Sequence, residues 1–185
     1  IGKNVYIAEG VKIMTHDASW MVLMGRNGKL HGHIGPVSIG NNVFLGIDSI
    51  VLCNVSICDN VIVGAGAVVT NSIRSSGVYA GNPARKVMEL EQMEAVRESR
   101  QLKEALTLAY RYRDRYGTFP PMEVFREYFW LFEKKDTDRL PESFRRQMTH
   151  SGNFETVVKR FMESEPEFDG YEAFRKWCEE KRWQG

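Results

Sequence analysis

The sequence predicts a two-part protein, with an all-β solenoid of short parallel strands over residues 1–87 and an all-α region over residues 88–185. A six-residue cadence of aliphatic residues confined to the first half predicts the solenoid, and helical periodicity predicts the rest. An abrupt change of composition marks the junction near Val87. Residues 1–88 hold 11 charged residues, 7 basic and 4 acidic, whereas residues 89–185 hold 38 of them, 18 basic and 20 acidic, and 17 of the 21 aromatics.

The cadence places aliphatic side chains at Ile1, Ile7 and Ile13, and again at Ile39, Leu45, Val51, Ile57, Val63 and Val69. Four residues after most of these stands a second small or β-branched residue: Val5, Val11, Val43, Ser49, Val55, Val61 and Ala67. A step of six suits neither a helix of 3.6 residues per turn nor a strand that alternates every second residue. It fits a triangular coil with three short strands per turn, both positions pointing inward and Gly, Asn or Asp at the corners, as in "IGNN", "ICDN" and "VGAG". Three stacked turns are expected, residues 1–18, 39–56 and 57–74.

Between the first two turns the cadence stops, at "THDAS". His16 is the fourth residue of its hexad, a corner position expected to project outward. Residues 19–38 then leave the coil as a loop, with "GRNG" as a turn and "HGHIGP" as the return. A histidine beside a protruding loop has a wall to work against, and Asp17 next to it could orient the imidazole.

Beyond the coil, Val87, Leu90, Met93, Val96, Leu102, Leu106, Leu108 and Tyr112 stand among charges, which predicts a long amphipathic helix ending at Gly117. After "TFPP" a helix is expected over residues 122–134, with Phe125, Tyr128, Phe129, Trp130 and Phe132, and shorter helices over 141–149, 154–164 and 171–183. The aromatic stripe is read as a core in preference to a sugar platform.

With 185 residues, 43% hydrophobic and 26% charged, the chain has the composition of an ordinary globular protein. Its net charge of +1 gives no reason to expect a nucleic acid or an anionic membrane as partner. No run approaches the roughly 18 apolar residues of a spanning helix, and there is no basic-then-apolar leader, so the default localisation is cytoplasmic. Cys53, Cys58 and Cys178 are odd in number and lack metal-ligand spacing, and are read as reduced and structural. The chain opens on Ile1 already inside the repeat, so the coil is expected to be N-terminally incomplete.

The order and spacing of "THDAS", "GPVSIGNNVFLG", "VIVGAGAVVT" and "VYAGNPARKV" resemble the hexapeptide-repeat acyltransferases, in the xenobiotic, maltose and galactoside O-acetyltransferase branch. The resemblance covers roughly residues 1–88 and implies that the coil is a left-handed parallel β-helix. Handedness comes from the resemblance and not from the spacing, because it runs against the usual right-handed crossover. The implied activity is CoA-dependent transfer of an acetyl group from acetyl-CoA to a hydroxyl of a sugar or polysaccharide precursor. The implied assembly is a homotrimer with its sites between subunits, so that His16 of one chain faces Phe44 of the next. No metal is expected.

Site residues follow by the same resemblance. His16 is the general base that deprotonates the acceptor hydroxyl, a task suited to imidazole. The backbone N–H of Ile47, where relatives often have Ser or Gly, supports the tetrahedral oxyanion without a hydroxyl. Phe44 stands where relatives place a Trp that packs on cofactor or acceptor, and Gly46 lies beside it at the cofactor. Ala65 and Thr70 match positions that meet the pantetheine arm. Arg85 and Lys86, in "NPARK", approach the cofactor phosphates. Two other readings remain open: a scaffold that kept the coil without catalysis, and a γ-carbonic-anhydrase-like zinc protein using His31 and His33.

Overall fold

The computed structural model describes residues 1–136, 140–150 and 152–181. The chain divides into two compact units, Ile1–Ala95 and Val96–Gly185.

In the first unit the strands are β1 (Val5–Ile7), β2 (Lys12–Ile13), β3 (His16–Asp17), β4 (His33–Ile34), β5 (Ser38–Ile39), β6 (Val43–Leu45), β7 (Ile50–Val51), β8 (Ser56–Ile57), β9 (Val61–Val63), β10 (Val68–Val69), β11 (Gly77–Ala80) and β12 (Arg85–Met88). They form sheets in the orders β1-β6-β9-β11-β12, β10-β7-β2, β5-β8 and β3-β4. Val43 pairs in parallel with Val61, Ile50 with Val68 and Ile39 with Ile57. The chain therefore returns to each of three faces after 18 residues, the step expected of three hexads. Val5 pairs with Val43 and Ile13 with Val51, a step of 38. Residues 19–38 are thus looped out with no loss of register.

The in-phase residues form the core. Ile39, Val43, Leu45, Val51, Val55, Ile57, Val61, Val63, Ala67, Val69 and Ile73 are all buried, and Ser49 with them. Ile1, Ile7 and Ile13 share the phase yet are exposed, because their coil has a neighbour on one side only. The corners repeat just as strictly. Asn4, Gly10, Asn42, Asp48, Asn54, Asn60 and Gly66 all have positive φ, between 54° and 74°. Only Gly takes this region freely, with Asn and Asp next, so the fourth hexad position favours those three residues.

Gly46 has a different constraint. A Cβ there would lie 2.6 Å from the Ala65 nitrogen and 2.8 Å from the Gly64 carbonyl carbon and the Val63 oxygen. Its own N–H donates to that oxygen at 2.8 Å. The two coils close on each other at this point, leaving no room for a side chain.

The loop contains an element absent from the sequence expectation, the helix α1 (Trp20–Asn27). Gly28 ends it in the left-handed region, donating its N–H to Met24 O, so "GRNG" is a helix terminus in place of an independent turn. None of its residues is buried.

The long helix α2 (Leu90–Tyr116) begins within the last residues of the first unit, makes up the start of the second and ends at Gly117 as expected. Strand β12 occupies Arg85–Met88, so the helix starts three residues later than its periodicity suggested. The helix expected over 122–134 is instead two 3-10 turns, Met122–Phe125 and Phe129–Leu131. Tyr128 and Phe132 leave the helical region, at φ −124° and −141°. Aromatic residues have weak helix propensity, and packing decides their backbone. α3 (Glu142–Thr149), α4 (Phe154–Glu163) and α5 (Tyr171–Glu180) follow the periodic segments, and the last two residues expected of α5 lie outside the described residues.

The aromatic stripe is a core. Phe125, Phe132, Phe144, Phe161 and Phe174 are fully buried. Phe125 meets Phe174 edge-on at 5.0 Å, and Phe129 stacks on Phe144 at 4.6 Å. Phe125, Phe129 and Phe132 share one buried cluster with Ala105 and Ala109 of α2 and Cys178 of α5.

Two predictions follow from this packing. Gly46→Ala should cost about 1–3 kcal/mol, the usual penalty of overpacking, read as a lower denaturation midpoint of the coil. Ala65→Gly, at an exposed neighbouring position, should cost less. In the helical unit, burial pushes the Cys178 thiol from 9.0 up to about 12, and burial pushes the Tyr171 hydroxyl from 10.0 up to about 12. The unfolded chain loses these protons first, so stability is complete below pH 9 and falls as pH rises towards about 12. Urea midpoints measured across that window should fall, and Cys178→Ala should make the fall shallower.

Candidate functional site

At His16 the hexad corner is missing. The left-handed residue due there is replaced by strand β3, which pairs antiparallel with β4, His16 opposite Ile34 and Asp17 opposite His33. Gly35 N–H donates to Thr15 O at 2.8 Å and closes the pair. His16 is therefore a strand residue at the base of the loop and not a corner residue. It is exposed, as expected.

The imidazole borders two hollows. One, of about 200 Å³, is lined by Met14, His16, Asp17, His33, Leu52, Cys53 and Thr70. The other, of about 460 Å³, is lined by Thr15, His16, Ile34, Gly35 and Pro36. Coil register builds the first. Met14 N–H donates to Val51 O at 2.9 Å and Leu52 N–H to Val69 O at 3.1 Å, so Met14, Leu52 and Thr70 stand in line just past β2, β7 and β10. The loop return, β4, then sets His33 on the rim.

His16 and Thr70 are thus brought together within one chain. Gly46 and Ile47, between β6 and β7, and Ala65, between β9 and β10, stack at another corner, with Phe44 beside them on β6. There Gly46 packs on Ala65, and Gly66 N–H donates to Ile47 O at 2.8 Å. Phe44 points outward from β6 and stacks on Tyr6, with centroids 5.5 Å apart and planes 14° apart. Phe44 is 39% exposed and Ile47 55% exposed. Arg85 and Lys86 lie on β12, and their charges are not equivalent. Lys86 Nζ pairs with Glu89 Oε2 at 2.6 Å, and that bond raises its pKa. Arg85 gives one N–H to the Ala84 carbonyl at 3.0 Å and meets no carboxylate within the ion pairs of the described residues.

Asp17 does not hold His16. Its Oδ1 accepts the Ser19 N–H at 2.8 Å and the Ser19 hydroxyl at 2.5 Å, and these donors keep its carboxyl below the usual range. Its Oδ2 lies 3.9 Å from His33 Nε2. Cys53, read from sequence as merely structural, places Sγ 2.9 Å from that same Nε2. The ligand atoms of Asp17, His33 and Cys53 all lie within 4.8 Å of one another. Sequence reasoning missed this convergence, since positions 17, 33 and 53 share no period. The only hint is that "HGHIGP" returns to the coil beside "THD". His31 stays exposed in the loop, outside this group.

Among the described residues no helix is long and apolar enough to cross a membrane. The profile described as "Bacterial transferase hexapeptide (six repeats)" matches residues 36–71. The galactoside O-acetyltransferase of Escherichia coli (strain K12) is 36% identical over 90 residues, 49% of this chain and 43% of that protein. Protein CapG of Staphylococcus aureus is 42% identical over 94 residues, 51% of this chain and 54% of its own. A crystal structure of a maltose O-acetyltransferase from Clostridium difficile 630 aligns at 37% identity and a TM-score of 0.42, covering 46% of this chain and 45% of that one. The chain spans about half the length of these curated relatives. Residues 36–71 thus match the hexapeptide repeat of bacterial transferases, and over about half of its length the chain is similar to a galactoside O-acetyltransferase.

Proposed function

We propose that the protein is an acetyl-CoA-dependent O-acetyltransferase acting on a hydroxyl of a sugar or polysaccharide precursor. The observation that carries this reading is His16, which leaves the coil's own corner pattern to stand exposed between two hollows, one of them shared with Thr70. Similarity to a galactoside O-acetyltransferase over about half of the chain supports the choice of chemistry.

His16 takes the proton of the acceptor hydroxyl as its oxygen attacks the acetyl carbonyl carbon of the thioester. The Ile47 N–H stabilises the oxyanion, which then collapses to form the ester and break the carbon–sulfur bond. The departing thiolate takes the proton back from the imidazolium, so the base is regenerated. Gly46, Ala65 and Thr70 line the path of the pantetheine arm, and Arg85 meets the phosphates. Lys86, already neutralised by Glu89, contributes less.

The acting unit is a homotrimer of left-handed coils. His16 and Ile47 stand at different corners of one chain, so a neighbour must complete the site. Supporting this assembly are exposed apolar side chains of the first unit, among them Tyr6, Phe44, Ile47, Val22 and Ile34. Tyr6 and Phe44 already stack on each other at the surface, and a partner coil would cover such a pair. Acetyl-CoA as donor makes the cytoplasm the place of action.

Thiol release from acetyl-CoA, screened over a panel of sugars, should identify an acceptor. No release above the hydrolytic background with any of them would leave the coil as a scaffold. With an acceptor in hand, His16→Ala should lower turnover by roughly two to four orders of magnitude and leave the trimer intact in sedimentation. Turnover within a few-fold of the parent removes His16 from the mechanism. Arg85→Ala should raise KM for acetyl-CoA about tenfold, the worth of one charge-assisted hydrogen bond, and KM for the acceptor far less. Equal effects on both would place Arg85 away from the phosphates.

A further inference from the structure

Asp17, His33 and Cys53 come from three segments that nothing in the acetyl-transfer reading needs to bring together. Asp17 sits where the loop leaves the coil, His33 where it returns, and Cys53 at a corner of the second turn. The contacts between them share one atom. His33 Nε2 is 2.9 Å from Cys53 Sγ and 3.9 Å from Asp17 Oδ2.

A thiol nucleophile activated by a His–Asp relay would need the sulfur on one ring nitrogen and the carboxylate on the other. Here both face the same nitrogen. Three donors converging on a common point is the arrangement that a cation occupies. Thiolate, imidazole and carboxylate together suit zinc, a borderline-soft ion that accepts all three. At ordinary zinc bond lengths a tetrahedral ion sets sulfur and nitrogen about 3.6 Å apart and nitrogen and oxygen about 3.4 Å apart, so side-chain shifts under about 1 Å reach that geometry.

The surroundings complete the case. Asp17 Oδ1 is held by the N–H and hydroxyl of Ser19, which fixes the carboxylate and leaves Oδ2 for the ion. The donor atoms border the hollow of about 200 Å³ that Met14, His16 and Thr70 also line, and this leaves space for a fourth ligand.

We propose that Asp17, His33 and Cys53 form a zinc site with three protein ligands and a fourth position open to the hollow beside His16. The ion ties both ends of the loop to the second turn of the coil, and so fixes the strand pair that presents His16. The site stands on its own geometry and does not depend on acetyl transfer.

The test uses the full 185-residue chain, stripped with a chelator and titrated with zinc against a chromophoric competitor. One zinc should bind per chain. Affinity should fall at least tenfold in Cys53→Ser and in His33→Gln, and stay unchanged in Cys58→Ser. Cobalt(II) in place of zinc should give a thiolate-to-metal charge-transfer band in the parent and lose it in Cys53→Ser. Circular dichroism checks that the variants at exposed His33 and half-buried Cys53 keep the parent fold. Absence of saturable zinc binding by the parent overturns the site, leaving only a thiol–imidazole hydrogen bond. Binding that survives both variants overturns it as well, because the ion is then held elsewhere. Zinc binding with no acetyl transfer would sink the activity reading and leave this one standing.

Discussion

Sealing two small apolar side chains per hexad between successive coil turns is the constraint on which the rest of the first unit depends. Each turn alone is too thin to bury anything, and becomes stable only when Leu45 lies over Val63, Val43 over Val61 and Val51 over Val69. Fully burying such a side chain is worth about 1.5–3 kcal/mol, so the stack is favourable only while the phase is kept. A slip of one residue would turn every aliphatic outward and place Asn and Asp in the core. This is why the left-handed corners recur so strictly, from Asn42 to Gly66. It is also why Gly46 has no Cβ: a turn sealed this closely brings backbone against backbone.

The same constraint explains how the coil can host chemistry. Its faces are uniform and its corners are small polar turns, neither of which makes a hollow. A site requires an interruption that leaves the register intact. Residues 19–38 achieve this, since Ile13 and Val51 pair as if the loop were not there. The antiparallel pair β3–β4 at its base is the one place in the first three turns where the chain runs back along itself. That reversal puts His16 on a strand, sets His33 against Cys53, and encloses the hollow that both share with Thr70.

The helical unit obeys another logic. Its charges lie outside and its aromatics inside, with Phe129 stacked on Phe144 and Phe132 on Phe174. Large rings make a core from few residues, at the expense of helix regularity. The segment around Phe125 and Phe129 therefore bends into short 3-10 turns, while α3, α4 and α5 keep the periodicity of their sequences.

Local repetition alone determined the coil. Hexad phase, corner residues and the looping-out of residues 19–38 are properties of neighbouring positions, so the sequence states them directly. The buried set matches the cadence from Ile39 to Val69, and Gly117 ends α2 for reasons local to the helix. Tertiary structure decided whatever joins distant segments. The loss of helix after Pro121 was settled by packing that no window of sequence contains. Asp17 as partner of Ser19 and His33, and Cys53 as partner of His33, depend on where the loop lands. His16 was legible as a candidate because it interrupts a pattern. Its surroundings were not, because residues 14, 33, 53 and 70 become neighbours only when coil turns stack and the loop folds back.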